Sequence, residues 1–509
     1  YANVSATPVG NVFIHGLTKP ANHSSSGTYS WYRTYRDTER NKPDDLTGEN
    51  WATSDILPGQ YNIVVKDSAG IPLTNPTPVT VEAGKTTYAG LYPFYLPDVK
   101  LNYAGWNTTI AVRNNGANTT SVITTFYQDT GFVIGQRTDY LAPNASITFL
   151  PPAPGGTSAD GAAIVIGSQD ISVAAVNANA TEPYAYAGIP HNSSPSGIGI
   201  GTTLYVPCTL NNYYGWNTNL YVQNTANAAT TVTAYYYNND GSFAGTQSVN
   251  LAPNGRGSVP RLVWCGWARL LAGQPIAAVV SHWRAGEYPL MYMAYAVANS
   301  YSASAYLPSL LRNYYTWNSA YQTTETTGAS VTDRMDFKPD PAGYRDYSLN
   351  AFGHRDGYME YEEQVPSPWH GSGVISPIGG SGLIVSAGQH SNSGTAMGMH
   401  AFKGGARQIG APLLRNTNWT GSLTIQNVGG AATNVTVRCY WPNGSQAGGD
   451  INIGSLQPGN SVELLRQSLG GQLPEDFEGS LWVISSAADV VASIQQSINN
   501  DYGYAYGAP

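Results

Sequence analysis

The residues best suited to chemistry are acidic and histidine side chains that collect between positions 333 and 400. The set comprises Asp333, Asp336, Asp340, Asp346, Asp356, Glu360, Glu362, Glu363, His354, His370, His390 and His400. Carboxylates and imidazoles at close range could bind calcium or zinc, or act as an acid–base pair. Within this set Asp356, Glu360 and His354 are weak candidates for a metal site.

The spacing of these residues argues against a known catalytic or metal motif. The chain has no EF-hand loop, no H-E-x-x-H zinc motif and no G-x-S-x-G nucleophile elbow. Glu360, Glu362 and Glu363 flank Tyr361 and are typical of an exposed strand face, so a solvated or partner-facing charge patch explains them as well. We therefore predict no catalytic residue, no cofactor and no enzymatic activity.

Three cysteines are too few for a disulfide framework. Cys208 and Cys265 fall within the same hundred residues and could form one disulfide. Cys439 occupies a position where related segments have Phe126 and Tyr236, which favours a small buried apolar residue. No CxxC pair or Cys/His zinc spacing is present.

The composition excludes several classes of partner. Charged residues make up 11% of the chain and the net charge is −8, whereas ordinary globular chains are roughly 25% charged. This balance gives no electrostatic surface for nucleic acid or for an acidic membrane. No run of 18 apolar residues occurs, so we expect no membrane-spanning helix.

One seven-residue sequence motif, here called the recurring word, appears several times along the chain. Copies begin at Asn102, Asn212 and Asn313, and a shorter, altered copy begins at Asn416. Their tryptophans, Trp106, Trp216, Trp317 and Trp419, are spaced by about one hundred residues, which suits a whole small domain better than a solenoid repeat.

Side chains alternate after these tryptophans, as in a β-strand with one buried face. In the second copy Trp216, Thr218, Leu220 and Val222 share one parity. This pattern predicts that Trp106, Trp216, Trp317 and Trp419 are core residues between two sheets. The alternative is an aromatic platform for a sugar ring.

The segment before the repeats has a different pattern. Residues 57–65 read LPGQYNIVV and residues 78–86 read PVTVEAGKT, so a Pro-Gly turn opens an alternating strand and a last strand ends in a glycine turn. This resembles the prealbumin-like, carboxypeptidase-regulatory-type β-sandwich of secreted bacterial proteins. The resemblance implies a non-catalytic module.

We predict an all-β chain of tandem antiparallel β-sandwiches, because each hundred residues contain seven or eight short strands. It resembles the tandem immunoglobulin-like repeat proteins of secreted bacterial origin. The domains are a prealbumin-like sandwich at 1–90, repeat 1 at 91–203, repeat 2 at 204–303, a divergent repeat 3 at 304–405 and repeat 4 at 406–509. Short joints predict an elongated, stiff row.

The location is predicted to be extracellular or at the cell surface. The chain begins at Tyr1, which is compatible with a removed leader. Asn107, Asn118, Asn144 and Asn434 are candidate glycosylation sites, because each lies in an N-x-S/T sequence.

These observations favour a non-catalytic structural protein, a subunit of a surface fibre, sheath or layer that polymerises with copies of itself. One alternative is an adhesin for surface glycans that uses tyrosine pairs such as Tyr213–Tyr214 and Tyr314–Tyr315. Another is a set of accessory modules of a polysaccharide-degrading enzyme.

Overall fold

The computed structural model describes most of the chain after residue 91 and, before it, the backbone of seven strands. The described ranges are 10–18, 27–33, 39–44, 50–56, 59–66, 77–81, 86–88, 92–117, 119–167, 169–180, 182–191, 197–226, 228–284, 291–300, 303–339, 343–379, 382–391, 396–415, 420–465, 477–498 and 502–508.

The N-terminal module is built of two small sheets. Its strands are β1 (Gly10–Thr18), β2 (Gly27–Arg33), β3 (Glu39–Asp44), β4 (Asn50–Ile56), β5 (Gly59–Lys66), β6 (Thr77–Val81) and β7 (Thr86–Tyr88). The sheet orders are β4-β1-β7 and β3-β2-β5-β6. The two stretches that resemble the prealbumin-like module therefore form β5 and β6.

The remaining strands group by repeat. Repeat 1 contains β8 (Tyr92–Leu101), β9 (Asn107–Asn114), β10 (Thr120–Gln128), β11 (Val133–Leu141), β12 (Ser146–Phe149), β13 (Ala159–Gly167), β14 (Ile171–Ala178), β15 (Pro183–Ala187) and β16 (Ile189–Pro190). Repeat 2 contains β17 (Gly201–Tyr213), β18 (Trp216–Asn224), β19 (Thr230–Asn238), β20 (Phe243–Leu251), β21 (Arg256–Val259), β22 (Cys265–Arg284) and β23 (Met291–Ala296).

Repeat 3 contains β24 (Ala305–Arg312), β25 (Trp317–Glu325), β26 (Val331–Lys338), β27 (Tyr344–Leu349), β28 (His354–Tyr358), a 3-10 helix (Met359–Tyr361), β29 (Trp369–Ile378), β30 (Leu383–Ser391) and β31 (Ala396–His400). Repeat 4 contains β32 (Gln408–Arg415), β33 (Thr420–Asn427), β34 (Thr433–Tyr440), β35 (Gln446–Leu456), β36 (Ser461–Leu465), β37 (Glu478–Ser485), β38 (Val490–Ile498) and β39 (Tyr502–Ala508).

All four repeats share one strand order, which confirms the all-β tandem sandwich. In repeat 3 one sheet runs β27-β26-β29-β24 and the other β28-β25-β30-β31, and repeat 4 has the same arrangement. Repeat 1 adds β16, and in repeat 2 the long strand β22 belongs to both sheets. Immunoglobulin constant domains have the order ABED on CFG, so the likeness lies in the two-sheet architecture and not in the connectivity.

Each repeat buries its own core, and the alternation seen in the sequence produces it. On β19 the side chains of Val232, Ala234 and Tyr236 are buried, and on β34 those of Val435 and Val437 are buried, while the residues between them are exposed or half-buried. Every repeat contributes a separate apolar cluster. The cluster of repeat 4 also takes in side chains of repeat 1, among them Ala111 and Val176.

The repeats form a closed ring, so the prediction of an elongated row is wrong. The last strands of the four repeats contact one another in cyclic order: β15 lies against β23 and β39, and β31 also lies against both. Repeat 4 therefore packs against repeat 1. The row closes because each repeat contacts the next in the same way, and a head-to-tail contact that is repeated with the right rotation generates a ring.

The described part of the chain is almost without helix. No helix within it is long and apolar enough to cross a membrane.

Candidate functional site

The recurring word is a hairpin turn. In repeat 2, Tyr213 and Trp216 pair across the turn, and the two residues between them, Tyr214 and Gly215, have φ of 46° and 84°. Positive φ at both central positions is the mark of a type I′ turn, whose twist matches the flanking strands. The same pairing recurs at Tyr103–Trp106 and Tyr314–Trp317.

Two side chains of the word fix the incoming strand. Asn217 Oδ1 accepts a hydrogen bond from the N–H of Asn212 (3.1 Å), and Thr218 Oγ1 accepts one from the N–H of Leu210 (2.8 Å). In repeat 1 the equivalent backbone N–H groups donate to Asn107 Oδ1 (2.8 Å) and Thr108 Oγ1 (2.7 Å). In repeat 3 they donate to Asn318 Oδ1 (2.8 Å) and Ser319 Oγ (2.9 Å). The word recurs because its polar residues satisfy backbone groups that would otherwise lose their partners.

The tryptophans of the word lie towards one end of each core. Trp317 is buried, whereas Trp106 and Trp216 are half-buried. Trp106 packs beside Tyr184, with ring centroids 5.3 Å apart, and Trp216 packs on the thiols of repeat 2. Trp419 lies outside the described residues.

Aromatic rings are exposed at the turn of repeat 2. Tyr214 is 70% exposed and Trp264 is 56% exposed. Together with Tyr213 they form a group, here called the aromatic patch, with ring centroids 4.6 to 5.8 Å apart. In repeat 3, Tyr315 is 71% exposed and lies 4.7 Å from Tyr314. Amphipathic rings of this kind are enriched at binding surfaces.

Four titratable side chains meet where repeat 2 contacts repeat 3. We call Cys208, Cys265, His354 and Asp356 the thiol–histidine cluster. The Cys265 thiol lies 3.3 Å from Asp356 Oδ2, and His354 Nε2 lies 3.5 Å from Asp356 Oδ1. One ligand atom each of Cys208, His354 and Asp356 lies within 4.8 Å of the others. Both thiols and the imidazole are buried.

Burial controls the charges of this cluster. It raises the pKa of the Cys208 and Cys265 thiols well above the usual value, and the nearby Asp356 charge adds to the effect. Burial is the largest effect on the Asp356 carboxyl and would raise its pKa, but hydrogen bonding and charge from His354, together with Cys265 and His282, outweigh it and lower that pKa. Neighbouring His282 has both ring nitrogens occupied, by Thr218 Oγ1 (2.9 Å) and Tyr295 OH (3.0 Å), and burial lowers its pKa to about 3.

The structure brings together two of the three residues predicted as metal candidates. His354 and Asp356 are neighbours on β28, but Glu360 lies on the 3-10 helix, where its charge acts on His390 instead. Sequence reasoning did not connect Cys208 and Cys265 with this pair. An alignment of the repeats offered a signal, because Cys208 follows Pro207 as Asp98 follows Pro97.

All three cysteines are buried free thiols. Cys208 and Cys265 pack in one small cluster with Leu210, and no disulfide joins them in the structure. Cys439 lies in the apolar core of repeat 4.

The acidic residues of repeat 3 are partly internal, so the expectation of an exposed strand face is wrong for Glu362. Its side chain is only 2% exposed and accepts hydrogen bonds from Tyr321 OH (2.9 Å) and Arg345 Nη1 (2.8 Å). Asp333 is 1% exposed. These carboxylates serve the interior of repeat 3.

The candidate glycosylation sites differ in accessibility. Asn434 is exposed, whereas Asn107 is half-buried and uses its Oδ1 atom in the turn. Asn144 lies in the contact between repeats 1 and 4, where its Oδ1 accepts hydrogen bonds from Trp482 Nε1 (2.8 Å) and Arg113 Nη2 (3.0 Å). A glycan on Asn144 would displace these bonds. Asn118 lies outside the described residues.

Comparisons with known proteins give no family. No protein-family model and no curated protein matches the chain. Among solved structures, a DUF3823 family protein from Parabacteroides merdae is 10% identical, with 34% of this chain and 92% of that chain covered and a TM-score of 0.17. A DUF3823 family protein from Bacteroides ovatus is 11% identical, with 36% and 97% covered and a TM-score of 0.15. A tetra-tandem repeat from the extending region of a large adhesion protein is 11% identical, with 77% and 99% covered and a TM-score of 0.11. These TM-scores are too low to carry an argument.

Proposed function

We propose that the protein is a non-catalytic extracellular structural protein, a subunit of a cell-surface fibre, sheath or layer that assembles from copies of itself. Two features support this proposal. Glu362 of repeat 3 is engaged inside the fold by hydrogen bonds from Tyr321 and Arg345. The outer surface is poor in charge, because charged residues are only 11% of the chain, so copies can approach without strong repulsion.

The observation that carries the proposal is the edge strand β20. It stands at the end of its sheet and pairs with β19 on one side. Its nine residues, FAGTQSVNL, include no charged side chain and no proline. Its outward residues form an uncharged ladder with β19, in which Thr231 bonds Asn250 (2.7 Å) and Thr233 bonds Ser248 (3.0 Å). Natural edge strands usually carry charges or prolines that block pairing, and an edge without them suits strand addition by another copy.

Electron microscopy and sedimentation of the purified full chain test this proposal. We expect regular polymers from the wild-type chain. The double substitution Thr246→Lys and Ser248→Lys places two charges on exposed positions of β20 and should lower the polymerised fraction. Ser455→Lys on β35, an edge strand that already carries Asp450, is the matched control and should polymerise normally.

Two results would contradict the proposal. One is a wild-type chain that remains monomeric at every concentration examined. The other is equal polymerisation of the β20 double variant and the wild-type chain, which would exclude this edge as the contact.

The aromatic patch supports a second candidate function, that of an adhesin for surface glycans. Three rings from a turn and from Trp264 converge there, and the two outer rings are more than half exposed. Binding of the soluble chain to a glycan array tests it. Tyr214→Ala and Trp264→Ala should each abolish binding, while Phe132→Ala removes a single ring that is 73% exposed in repeat 1 and should not.

A further inference from the structure

Each contact between successive repeats uses the same four positions. The earlier repeat supplies two residues. One follows the proline of its first strand, and the other precedes a glycine that occupies the same position in every repeat. A Cβ atom on that glycine would lie 2.0 to 2.1 Å from a backbone carbonyl oxygen in all four repeats, at Gly161, Gly266, Gly371 and Gly479. The following repeat supplies the first and third residues of its fifth strand.

The ring therefore presents four equivalent sets of side chains. They are Asp98 and Asp160 with Arg256 and Ser258, Cys208 and Cys265 with His354 and Asp356, Ser309 and His370 with Ser461 and Glu463, and Glu478 with Ser146 and Thr148. The backbone at these contacts is also equivalent. The N–H of Arg256 bonds Asp129 O (3.1 Å), that of His354 bonds Asn239 O (2.9 Å) and that of Ser146 bonds Pro442 O (3.0 Å).

Of the other three contacts, the one between repeats 1 and 2 pairs its side chains most closely, whereas the one between repeats 3 and 4 also contains buried atoms without a hydrogen-bond partner, namely His370 Nε2, Glu463 Oε2 and Ser461 Oγ. Between repeats 1 and 2 the Arg256 guanidinium binds Asp160 in a bidentate manner (2.7 and 2.8 Å) and lies 3.6 Å from Asp98. Between repeats 3 and 4, His370 Nδ1 lies 3.3 Å from Glu463 Oε2. Between repeats 4 and 1, Thr148 Oγ1 lies 3.5 Å from Glu478 Oε1, a long contact that at most forms a weak hydrogen bond.

The contact between repeats 2 and 3 replaces the two aspartates by thiols and the arginine by His354. The hydrogen bonds fix the tautomer of this imidazole. Thr324 Oγ1 donates to Pro207 O (2.9 Å) and must therefore accept from His354 Nδ1, which lies 2.9 Å away. Nδ1 thus carries a proton, and in the neutral imidazole Nε2 presents a lone pair.

This lone pair has no hydrogen-bond partner although the side chain is 0% exposed. It faces the Asp356 carboxylate at 3.5 Å, beyond ordinary hydrogen-bond length. These two buried groups are stabilised by a positive species between them, which is either a proton on Nε2, giving an ion pair with Asp356, or a metal ion. In the first contact Arg256 supplies the positive charge at this position, and here no arginine or lysine of the described residues is paired with either group.

We propose that the thiol–histidine cluster is a structural site for a divalent transition metal of the zinc class, ligated by Cys208 Sγ, Cys265 Sγ, His354 Nε2 and the Asp356 carboxylate. Ligand atoms about 2.0 to 2.3 Å from a tetrahedral zinc lie roughly 3.3 to 3.8 Å apart. The distances of 3.3 Å from Cys265 Sγ and 3.5 Å from His354 Nε2 end on different oxygens of the Asp356 carboxylate, and the ligand atoms of Cys208, His354 and Asp356 lie within 4.8 Å of one another, so the site must contract to reach this spacing when the metal binds. Each thiol releases its proton to solvent when the metal binds.

The ligand set favours zinc-class metals over calcium or magnesium, because thiolate and imidazole are soft or intermediate ligands. Four protein ligands leave no open position, which makes the site structural and not catalytic. Two ligands come from each repeat, so the metal links repeat 2 to repeat 3. Thr324 positions the imidazole from behind, as the outer partners of metal-bound histidines do.

The test uses the full chain, purified under reducing conditions, stripped with a chelator and titrated with Co²⁺ and Zn²⁺. We expect one metal ion per chain, a thiolate-to-cobalt charge-transfer band and the visible bands of tetrahedral Co²⁺. Competition with a chromophoric chelator should show that Cys208→Ser and His354→Gln each weaken binding by more than about 100-fold. Cys439→Ser, which removes the buried thiol of repeat 4, should bind as the wild type does.

Several outcomes would overturn the site. These are a reduced wild-type chain that binds neither ion, a cobalt spectrum without thiolate bands, and unchanged affinity of folded Cys208→Ser and His354→Gln variants. A disulfide between Cys208 and Cys265 in the chain as isolated, detected by mass spectrometry of a non-reducing digest, would also overturn it. If a variant fails to fold, the wild-type cobalt spectrum decides alone.

Discussion

Asp333 is a buried carboxylate that lacks hydrogen bonds. Its side chain is 1% exposed and neither oxygen has a hydrogen-bond partner. Burial raises its pKa to about 6, although Arg355 nearby opposes the shift. The unfolded chain ionises this group near pH 4, whereas the folded chain holds its proton until about pH 6. The free energy of unfolding should therefore fall as the pH rises through this window.

Replacing Asp333 by Asn should remove this dependence. At pH 7 Asp333→Asn should be more stable than the wild type by up to about 3 kcal/mol, because it removes a buried charge, and near pH 4 the gain should vanish. Denaturant unfolding at the two pH values measures the difference. Asp346→Asn is the control. Arg334 lowers the pKa of that exposed carboxyl, so removing the Asp346 charge should not raise the free energy of unfolding. An equal effect of Asp333→Asn at both pH values would contradict the assignment.

At the scale of single elements, the recurring turn depends on a buried hydroxyl. Thr108 is fully buried, and its Oγ1 accepts the N–H of Lys100 (2.7 Å) from the preceding strand. Thr108→Val keeps the shape but leaves a buried N–H without a partner, so it should cost about 1 to 3 kcal/mol in unfolding free energy. Thr109→Val makes the same change on a half-buried neighbour and should be nearly neutral. Equal losses in the two variants would show that the hydroxyl does not matter.

The contact between repeats 1 and 2 depends on one guanidinium. Arg256 is buried and faces Asp98, Asp129 and Asp160. Arg256→Met should destabilise the chain by about 3 to 5 kcal/mol, because it leaves the largely buried Asp160 carboxylate without its counter-charge, while Asp98 keeps Lys100. Arg438→Met removes an equally well-formed pair with Asp450, but at an exposed position, and should have little effect. Thermal unfolding of both variants measures the contrast, and similar melting temperatures would contradict it.

At the scale of the whole molecule, ring closure makes the chain compact. A compact chain of 509 residues has a radius of gyration of about 24 Å, whereas an extended row would give a much larger value. Small-angle X-ray scattering of the dilute chain should give a radius near the compact value. A maximum dimension that equals the summed lengths of four sandwiches would exclude the ring.

One glycine tests the contact that closes the ring. Gly444 has φ of +87°, and a Cβ atom there would lie 2.4 Å from Pro143 O in repeat 1. Gly444→Ala should therefore loosen repeat 4 from repeat 1, which limited proteolysis and scattering can detect. Gly454 has the same φ, but its surroundings within 4 Å are open, so Gly454→Ala carries the backbone strain without the collision. Equal loosening by both changes would attribute the effect to strain alone.

Much of the fold was predictable from the sequence, because period-two alternation and turn residues act locally. The predicted core positions are buried, as on β19 (Val232, Ala234 and Tyr236) and on β34 (Val435 and Val437). The ring was not predictable from such signals. It arises from contacts such as that between Arg113 and Trp482, whose positions are hundreds of residues apart, and no local pattern records which surfaces meet.

The candidate site was predictable only in part for the same reason. His354 and Asp356 stand two residues apart on a strand, and their chemistry drew attention to them. Cys208 and Cys265 belong to another repeat, so only their equivalence to Asp98 and Asp160 could have placed them opposite His354. Glu360, close in sequence, lies elsewhere because β28 ends at Tyr358 and the chain turns into a short helix.

The contact through which Gly444 meets Pro143 has a consequence for concentrated solutions. A head-to-tail interface stops growing only when the last unit finds the first. If repeat 4 of one molecule docked instead on repeat 1 of another, the same residues would meet between two chains, but the contacts between repeats within each chain would have to open, because the rotation of the ring returns to the first unit. Such an exchange would turn the closed ring into an open chain, which high concentration would favour and dilution would oppose.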